Sequence, residues 1–359
     1  MANTVQTRPH PGGGDPAEPA AAGGTAAVDP TAGRALAIEV HDLVKTYPGE
    51  VRALQGLDFS VEPGSVFALL GPNGAGKSTT VKILTTLTRP DSGTARVAGS
   101  DVVAHPERVR LAIGCVAQRS GVDLEATGRE NLALQGRLYG LHGGELRSRV
   151  NGLLERFNLA ESANRIAKTY SGGMRRKLDV AMGLVHHPRV LFLDEPTTGL
   201  DPEARADMWN EITRLSREEG ITVLLTTHYL EEADRLAGRL AIVDHGRVVA
   251  TGTPDGLKSE LHGDAIHVEL AESGPEGRVR AALDLDGVRD VAIEGRSMRA
   301  RVDSGATAVP AVLGALESAG LAVAAVTVAR PSLDDVYLRY AGRAFSEADR
   351  ADQSNGDPR

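Results

Sequence analysis

The sequence predicts an α/β fold with a mostly parallel sheet, followed by a smaller α+β unit. Three observations predict it. Gly71-Pro72-Asn73-Gly74-Ala75-Gly76-Lys77-Ser78-Thr79 fits G-x-x-x-x-G-K-[ST], set between an apolar run of strand length and an amphipathic helix. Two later apolar runs end in Asp194-Glu195 and in Thr227-His228. Polar residues at strand ends are where an open parallel sheet holds its ligand. From Ala265 onward the pattern reads β-α-β-β-α-β, the split order of a ferredoxin-like unit.

The whole chain bounds these readings. Its 359 residues give room for two domains, each with its own core. A net charge of −8 and a pI near 5.7 speak against a broad nucleic-acid-binding face. Cys115 is the single cysteine, which excludes an internal disulfide and a cysteine-built zinc cluster. It reads as a small core hydrophobe. No stretch approaches the roughly 20 apolar residues of a membrane span. Met1-Ala2-Asn3-Thr4 shows no basic segment leading into an apolar core, so no secretory signal is expected. A cytoplasmic protein is expected, reaching the inner face of the cell membrane only through a partner.

Residues 1–35 hold nine Ala, six Gly and five Pro without apolar periodicity, which predicts a disordered tail. The nucleotide-binding domain is expected over 36–259. It starts with strand segments at Ala37–Val40 and Leu43–Tyr47, a turn at Gly49-Glu50, and alternating strands at Val51–Leu54 and Leu57–Val61. Ser65 to Leu70 is a buried strand, and Thr79 to Leu87 a helix with Val81, Leu84 and Leu87 on one side. Pro90-Asp91-Ser92-Gly93 is a turn before a short strand at Thr94–Val97. Ile113 to Val116 is a buried strand closing at Gln118.

A helical subdomain is expected over about 119–170. Leu132, Leu134, Leu138 and Tyr139 fall near one face, and Val150, Leu153, Leu154 and Phe157 form a second stripe. Ser171-Gly172-Gly173 then enters a helix through Leu184. Arg189 to Pro196, four apolar residues capped by two acids, and Ile221 to His228 are strand segments flanking a helix from Glu203 to Arg217, with Met208, Ile212 and Leu215 inward. The accessory unit spans 260–342, with strands at 265–270, 288–294, 298–303 and 321–329 and helices at 275–285 and 307–319. A polar tail, 343–359, is expected beyond it.

The chemistry follows from residue types at these places. Glycines let successive backbone N–H groups of 71–79 turn toward phosphate oxygens, and the next helix presents its positive end to the same anion. Lys77 reaches the β- and γ-phosphates and Ser78 ligates Mg²⁺. Asp194 is the carboxylate partner of Ser78 on the metal, Glu195 is placed to polarise an attacking water, and His228 to sense the γ-phosphate. Gln118 completes the Mg²⁺ or water geometry. Singly, each of these has a plain structural reading; jointly they describe a site for ATP and Mg²⁺.

With these residues in hand, the sequence closely resembles the ATP-binding cassette family of transporter ATPases over about residues 37–255. The most specific mark is Ser171-Gly172-Gly173 entering a helix upstream of Asp194-Glu195. In that family this signature loop contacts the γ-phosphate of ATP bound to the opposite subunit. The resemblance makes Tyr47 the aromatic that stacks on adenine, Gln118 the Q-loop residue, Asp201 the D-loop residue and His228 the switch histidine. Tyr170 and Met174 depart from the commonest signature, which has Leu and Gln there. Met174 lacks the polar contacts of a glutamine.

Thr169 to Leu178, together with Pro331-Ser332-Leu333-Asp334-Asp335-Val336-Tyr337-Leu338, narrows the resemblance to the ATPase subunits of daunorubicin-type drug exporters. These are cassettes alone that pair with a separate membrane permease subunit. The resemblance implies a homodimer of cassettes, head to tail, powering export of a hydrophobic small molecule. The alternative is a soluble cassette ATPase acting on ribosomes or DNA. It is disfavoured because one cassette is present, no sustained heptads interrupt it, and net charge is negative. The two free sheet edges of the accessory unit suggest docking or regulation, with Leu333, Val336, Tyr337 and Tyr340 packing on a neighbouring surface or on their own domain.

Overall fold

The structure is a computed structural model and describes residues 35–261 and 263–345. The expected tail over 1–34 and the residues after 345 lie outside the described residues. The ordered chain opens with a hairpin, β1 (Ile38–Tyr47) and β2 (Val51–Val61). The two segments expected around His41-Asp42 are one strand, in which Asp42 takes φ +45° and the register slips. β3 (Val66–Leu70) leads through the phosphate loop into α1 (Lys77–Leu84). That helix stops a turn earlier than expected. Thr86 adopts φ +64° and Leu87 is left 73% exposed, off the buried side that Val81 and Leu84 share.

β4 (Ser92–Val97), β5 (Ser100–Asp101), α2 (Pro106–Ala112) and β6 (Ile113–Val116) follow. The helical segment holds α3 (Gly128–Leu138), α4 (Gly143–Arg156) and a single 3-10 turn, Ala167–Thr169, before α5 (Gly172–Gly183). A capping box starts α3: Thr127 accepts from the Glu130 backbone while the Glu130 carboxylate returns to Thr127, so both orphan donors are satisfied. Leu132 is buried as expected, but Leu134 and Leu138 are exposed. The 3.6-residue period turns them off the face that Leu132 presents. The second stripe, Val150, Leu153, Leu154 and Phe157, is buried throughout.

β7 (Val190–Asp194), α6 (Pro202–Glu219), β8 (Thr222–Thr227), α7 (Leu230–Leu236), β9 (Arg239–Asp244) and β10 (Arg247–Gly252) complete the main sheet. Its order is β10-β9-β3-β8-β7-β6, parallel except where β10 turns back on β9. β3 and β8 are buried along their whole length, as sheets covered on both faces require. The antiparallel sheet β2-β1-β4-β5 packs on one face, and α5, α6 and the helical segment pack on the other. Cys115 departs from its expected place in the core: β6 is the edge strand, and its sulfur faces a groove.

After α8 (Pro254–Ser259) come β11 (Asp264–Leu270), α9 (Glu276–Ala282), β12 (Val288–Glu294), β13 (Ser297–Val302), α10 (Gly305–Ser318) and β14 (Val323–Ala329). The sheet order β12-β13-β11-β14, antiparallel throughout, is that of a ferredoxin-like unit, and it has its own core. α11 (Leu333–Ala341) does something else. Leu333, Val336 and Tyr337 are buried in the core of the nucleotide-binding domain, with Phe345 edge-on against Tyr337. Phe345 is therefore core and not polar tail. Of the four side chains expected on a neighbouring surface, Tyr340 alone stays exposed.

Candidate functional site

The phosphate loop joins the C-terminal end of β3 to α1, and β3 lies inside the sheet between β9 and β8. Two glycines are required by close approach. A Cβ at Gly71 would lie 2.2 Å from the Val243 carbonyl oxygen, and one at Gly76, where φ is +105°, would lie 2.6 Å from that of Ala53. Between them, Pro72, Asn73, Gly74 and Ala75 form the curl, and Lys77, Ser78 and Thr79 begin the helix. Lys77 is buried, and its Nζ donates to the carbonyls of Gly71 at 2.7 Å and Pro72 at 2.8 Å. The ammonium is thus held inside the loop.

Parallel neighbours of β3 bring the carboxylates to this loop. Asp194 ends β7, and its Oδ1 accepts from Ser78 Oγ at 3.3 Å and from Thr226 Oγ1 at 2.5 Å. Glu195 follows in the left-handed region, φ +48°, a conformation few non-glycine residues adopt. Three side chains converge on its carboxylate. Gln118 Nε2 donates to Oε2 at 3.1 Å, Thr198 Oγ1 donates to Oε2 at 3.2 Å, and His228 Nδ1 lies 3.1 Å from Oε1. The His228 hydrogen bond holds the carboxyl below the usual glutamate range. The charges of His228 and Lys77 and the Thr198 hydroxyl add to it, and together they outweigh burial.

Ser78 and Asp194 therefore meet as expected, and their hydroxyl and carboxylate oxygens suit Mg²⁺, a hard cation that keeps waters and phosphate oxygens in its shell. Gln118, expected beside them on the metal, donates its amide nitrogen to Glu195, while metal ligation would use its amide oxygen. Tyr47 sits half-buried at the end of β1 with Lys45 Nζ 5.7 Å from its ring centre.

Ser171 caps α5, its hydroxyl accepting from the Met174 N–H. Tyr170 fits where leucine is commoner because Gly128 leaves it room: a Cβ on Gly128 would lie 2.4 Å from the Tyr170 hydroxyl oxygen. That hydroxyl donates to the Ser162 carbonyl. Met174 packs its thioether on the core, so its side chain needs no polar partner. Gly173 lies close to Ala204, whereas a Cβ on Gly172 would meet nothing within 4 Å among the described residues. Asp201 caps α6 by accepting from Ala204 N–H at 2.8 Å. A cavity of about 260 Å³ brings Gln118, Gly172, Glu195 and Gly199 to one wall system.

Three contributors were not singled out from the sequence. Thr226 supports Asp194, Thr198 supports Glu195, and Arg176 binds the carbonyls behind both. The strand-end Thr226-Thr227 and the Pro196-Thr197-Thr198 turn were the available signals for the threonines.

A phosphate loop whose sheet neighbours deliver Asp194, Glu195 and His228, with a capped Ser-Gly-Gly helix beside them, defines an ATP-binding cassette. The model for the ABC transporter family matches residues 54–198, and that for the DrrA1-3-like ATP-binding protein C-terminal domain matches residues 252–341. The daunorubicin resistance ATP-binding protein DrrA3 of Streptomyces coeruleorubidus is 49% identical over 306 residues, 85% of this chain and 96% of that protein. The daunorubicin/doxorubicin resistance ATP-binding protein DrrA of Streptomyces peucetius is 46% identical over 310 residues, 85% of this chain and 92% of that protein. Among solved structures, the dimeric post-hydrolysis cassette MJ0796 bound to ADP and Pi superposes with a TM-score of 0.56. It is 26% identical, over 60% of this chain and 98% of that one.

The chain belongs to the ABC transporter family, as an ATPase subunit of its drug-resistance exporter branch. These relatives favour a transporter ATPase over a cassette working on ribosomes or DNA.

Proposed function

We propose that the chain forms a head-to-tail homodimer that binds two ATP and two Mg²⁺ and drives export of a hydrophobic, drug-like compound through a separate membrane permease subunit. The observation that carries the chemistry is the convergence of Gln118, Thr198 and His228 on one ionised carboxylate, Glu195, beside the Ser78–Asp194 pair. The phosphate loop and Lys77 bind the triphosphate, with Tyr47 against the adenine. Ser78 and Asp194 hold Mg²⁺, which offsets phosphate charge. Glu195 accepts a proton from the attacking water, Gln118 and His228 fix the direction of its carboxylate, and Asp201 belongs to the loop that meets the partner cassette. The positive end of α5, with Ser171, Gly172 and Gly173, is offered to the γ-phosphate on the opposite subunit. The open space around Gly172 supports this, because nothing within the described chain demands a glycine there.

No helix among the described residues is long and apolar enough to cross a membrane, so the transport path belongs to the permease in this reading. A groove of about 220 Å³ lined by Leu87, Cys115, Tyr139 and His186 supports a seat for that subunit on the cytoplasmic side. Exposed Leu111, Leu134 and Leu138 add apolar surface on α2 and α3, two of the helices that border it.

Glu195→Gln tests the reading. It should bind ATP and accumulate as an ATP-dependent dimer in size-exclusion chromatography, with turnover reduced by about 10² or more. Normal turnover in this variant would remove Glu195 from the role of base.

A further inference from the structure

Arg176 lies on the second turn of α5, with only 9% of its surface exposed, and all the hydrogen-bond acceptors around its guanidinium are backbone carbonyls. Nε donates to Pro196 at 2.9 Å, Nη1 to Ala117 at 2.7 Å, and Nη2 to both Asp194 at 2.9 Å and Glu195 at 3.2 Å. These carbonyls belong to two segments. One is the end of β7 and the turn after it, which carries Glu195 in its left-handed conformation. The other is the residue immediately before Gln118. One turn further along α5, buried Asp179 accepts from the Gly121 N–H at 3.0 Å, so both ends of the Gln118 segment are fastened to the same helix face.

We propose that Arg176 is a positioning residue for ATP hydrolysis, holding the backbone of Glu195 and the Gln118 segment against α5 so that carboxylate and amide meet. An arginine suits the place. Its planar fork has five N–H donors and no acceptor, which matches a set of four carbonyls spread over two segments. A lysine offers three donors from one atom and reaches part of the set. Without the fork, the left-handed backbone at Glu195 loses the group that binds the carbonyls on both sides of its Cα, and a left-handed glutamate persists only where its surroundings over-determine it. The carboxylate then swings away from Gln118 and His228. Ser171, Gly172 and Gly173 open the same helix, so one element carries the signature loop and the side chain that binds the Glu195 and Gln118 segments. This inference rests on Glu195 acting as the base.

The test uses the full chain and four proteins: wild type, Arg176→Gln, Arg176→Lys and Glu195→Gln. Nucleotide affinity is read from titration with fluorescent ATP analogue, turnover from steady-state ATPase assays, and folding from thermal unfolding. Arg176→Gln should lose at least about tenfold in kcat while nucleotide affinity stays within about twofold, and Arg176→Lys should fall between it and wild type. Wild-type kcat in Arg176→Gln, with Glu195→Gln inactive, would overturn the positioning role and leave the base intact. So would a parallel loss of affinity, kcat and unfolding temperature in both arginine variants, which marks a purely structural side chain. Normal turnover in Glu195→Gln would instead overturn the base, and the positioning role with it.

Discussion

The carboxylate of Glu195 stays ionised at neutral pH because the His228 hydrogen bond, reinforced by charge from His228 and Lys77, outweighs the burial that opposes it. Its folded pKa is lowered. The stabilisation it contributes is therefore complete above the unfolded glutamate value of about 4.3 and is lost as pH falls through the lower folded value. Thermal unfolding of wild type and Glu195→Gln at neutral and acid pH checks this. The advantage of the wild type should shrink on acidification, and a gap that widened instead would mean that burial wins. Lys77→Ala should abolish productive ATP binding, since it removes the cation opposite the β- and γ-phosphates, a loss of several kcal/mol in a water-poor site. Near-wild-type ATPase activity would contradict the assignment. Asp194, Glu195, Gln118 and His228 were legible because each is polar near the end of an apolar run, and Lys77 and Ser78 because of the glycine spacing before them. Arg176 was not, because its partners are carbonyls, and backbone groups leave no mark in the sequence.

At the level of elements, the buried parallel strands β3, β6, β7 and β8 and the ferredoxin-like alternation were read nearly to their ends, since continuous apolar runs and period-two patterns determine them, whereas β9 was not assigned from the sequence. Leu134 and Leu138 misled because a leucine count measures apolar character and not which face a neighbour covers. The end of α1 was misplaced because Thr86 breaks the helix by a left-handed turn that its residue type does not announce. The start of α5 carries the sharpest test at this scale. Gly172→Asp puts a carboxylate where the partner's γ-phosphate is proposed to lie, so ATP binding should survive and hydrolysis should fail. Mixed with Lys77→Ala, each hybrid dimer keeps one composite site free of both changes. Partial ATPase activity in the mixture supports the shared site; a mixture no more active than either parent counts against it.

Across the whole molecule, the accessory unit is tied to the nucleotide site through α11. Tyr337 donates its hydroxyl to Asp244 Oδ1 at 3.0 Å, and Arg343 reaches the same oxygen at 3.0 Å. Burial, then the Asp244 carboxylate, push the phenol's pKa up, so it stays a donor. Asp244 ends β9, and two residues on, the Gly246 N–H donates to the Ala75 carbonyl in the phosphate loop at 3.0 Å. The Tyr337 clasp thus holds the turn on which the loop rests. Tyr337→Phe keeps the apolar packing and removes one buried hydrogen bond to a charged group, which should cost about 1.5–3 kcal/mol in urea unfolding. A chain ended at Ser259 meets a larger loss. It strips Leu333, Val336, Tyr337 and Phe345 from the nucleotide-binding domain's own core, at roughly 1.5–3 kcal/mol for each large apolar side chain. That total rivals the ~5–15 kcal/mol stability of an ordinary domain. The truncated chain should therefore unfold at a much lower temperature and bind ATP poorly, even though every proposed catalytic group precedes residue 229. If it folded and bound ATP like the full chain, α11 would be a detachable docking element after all, and the clasp on Asp244 would have no part in shaping the phosphate loop.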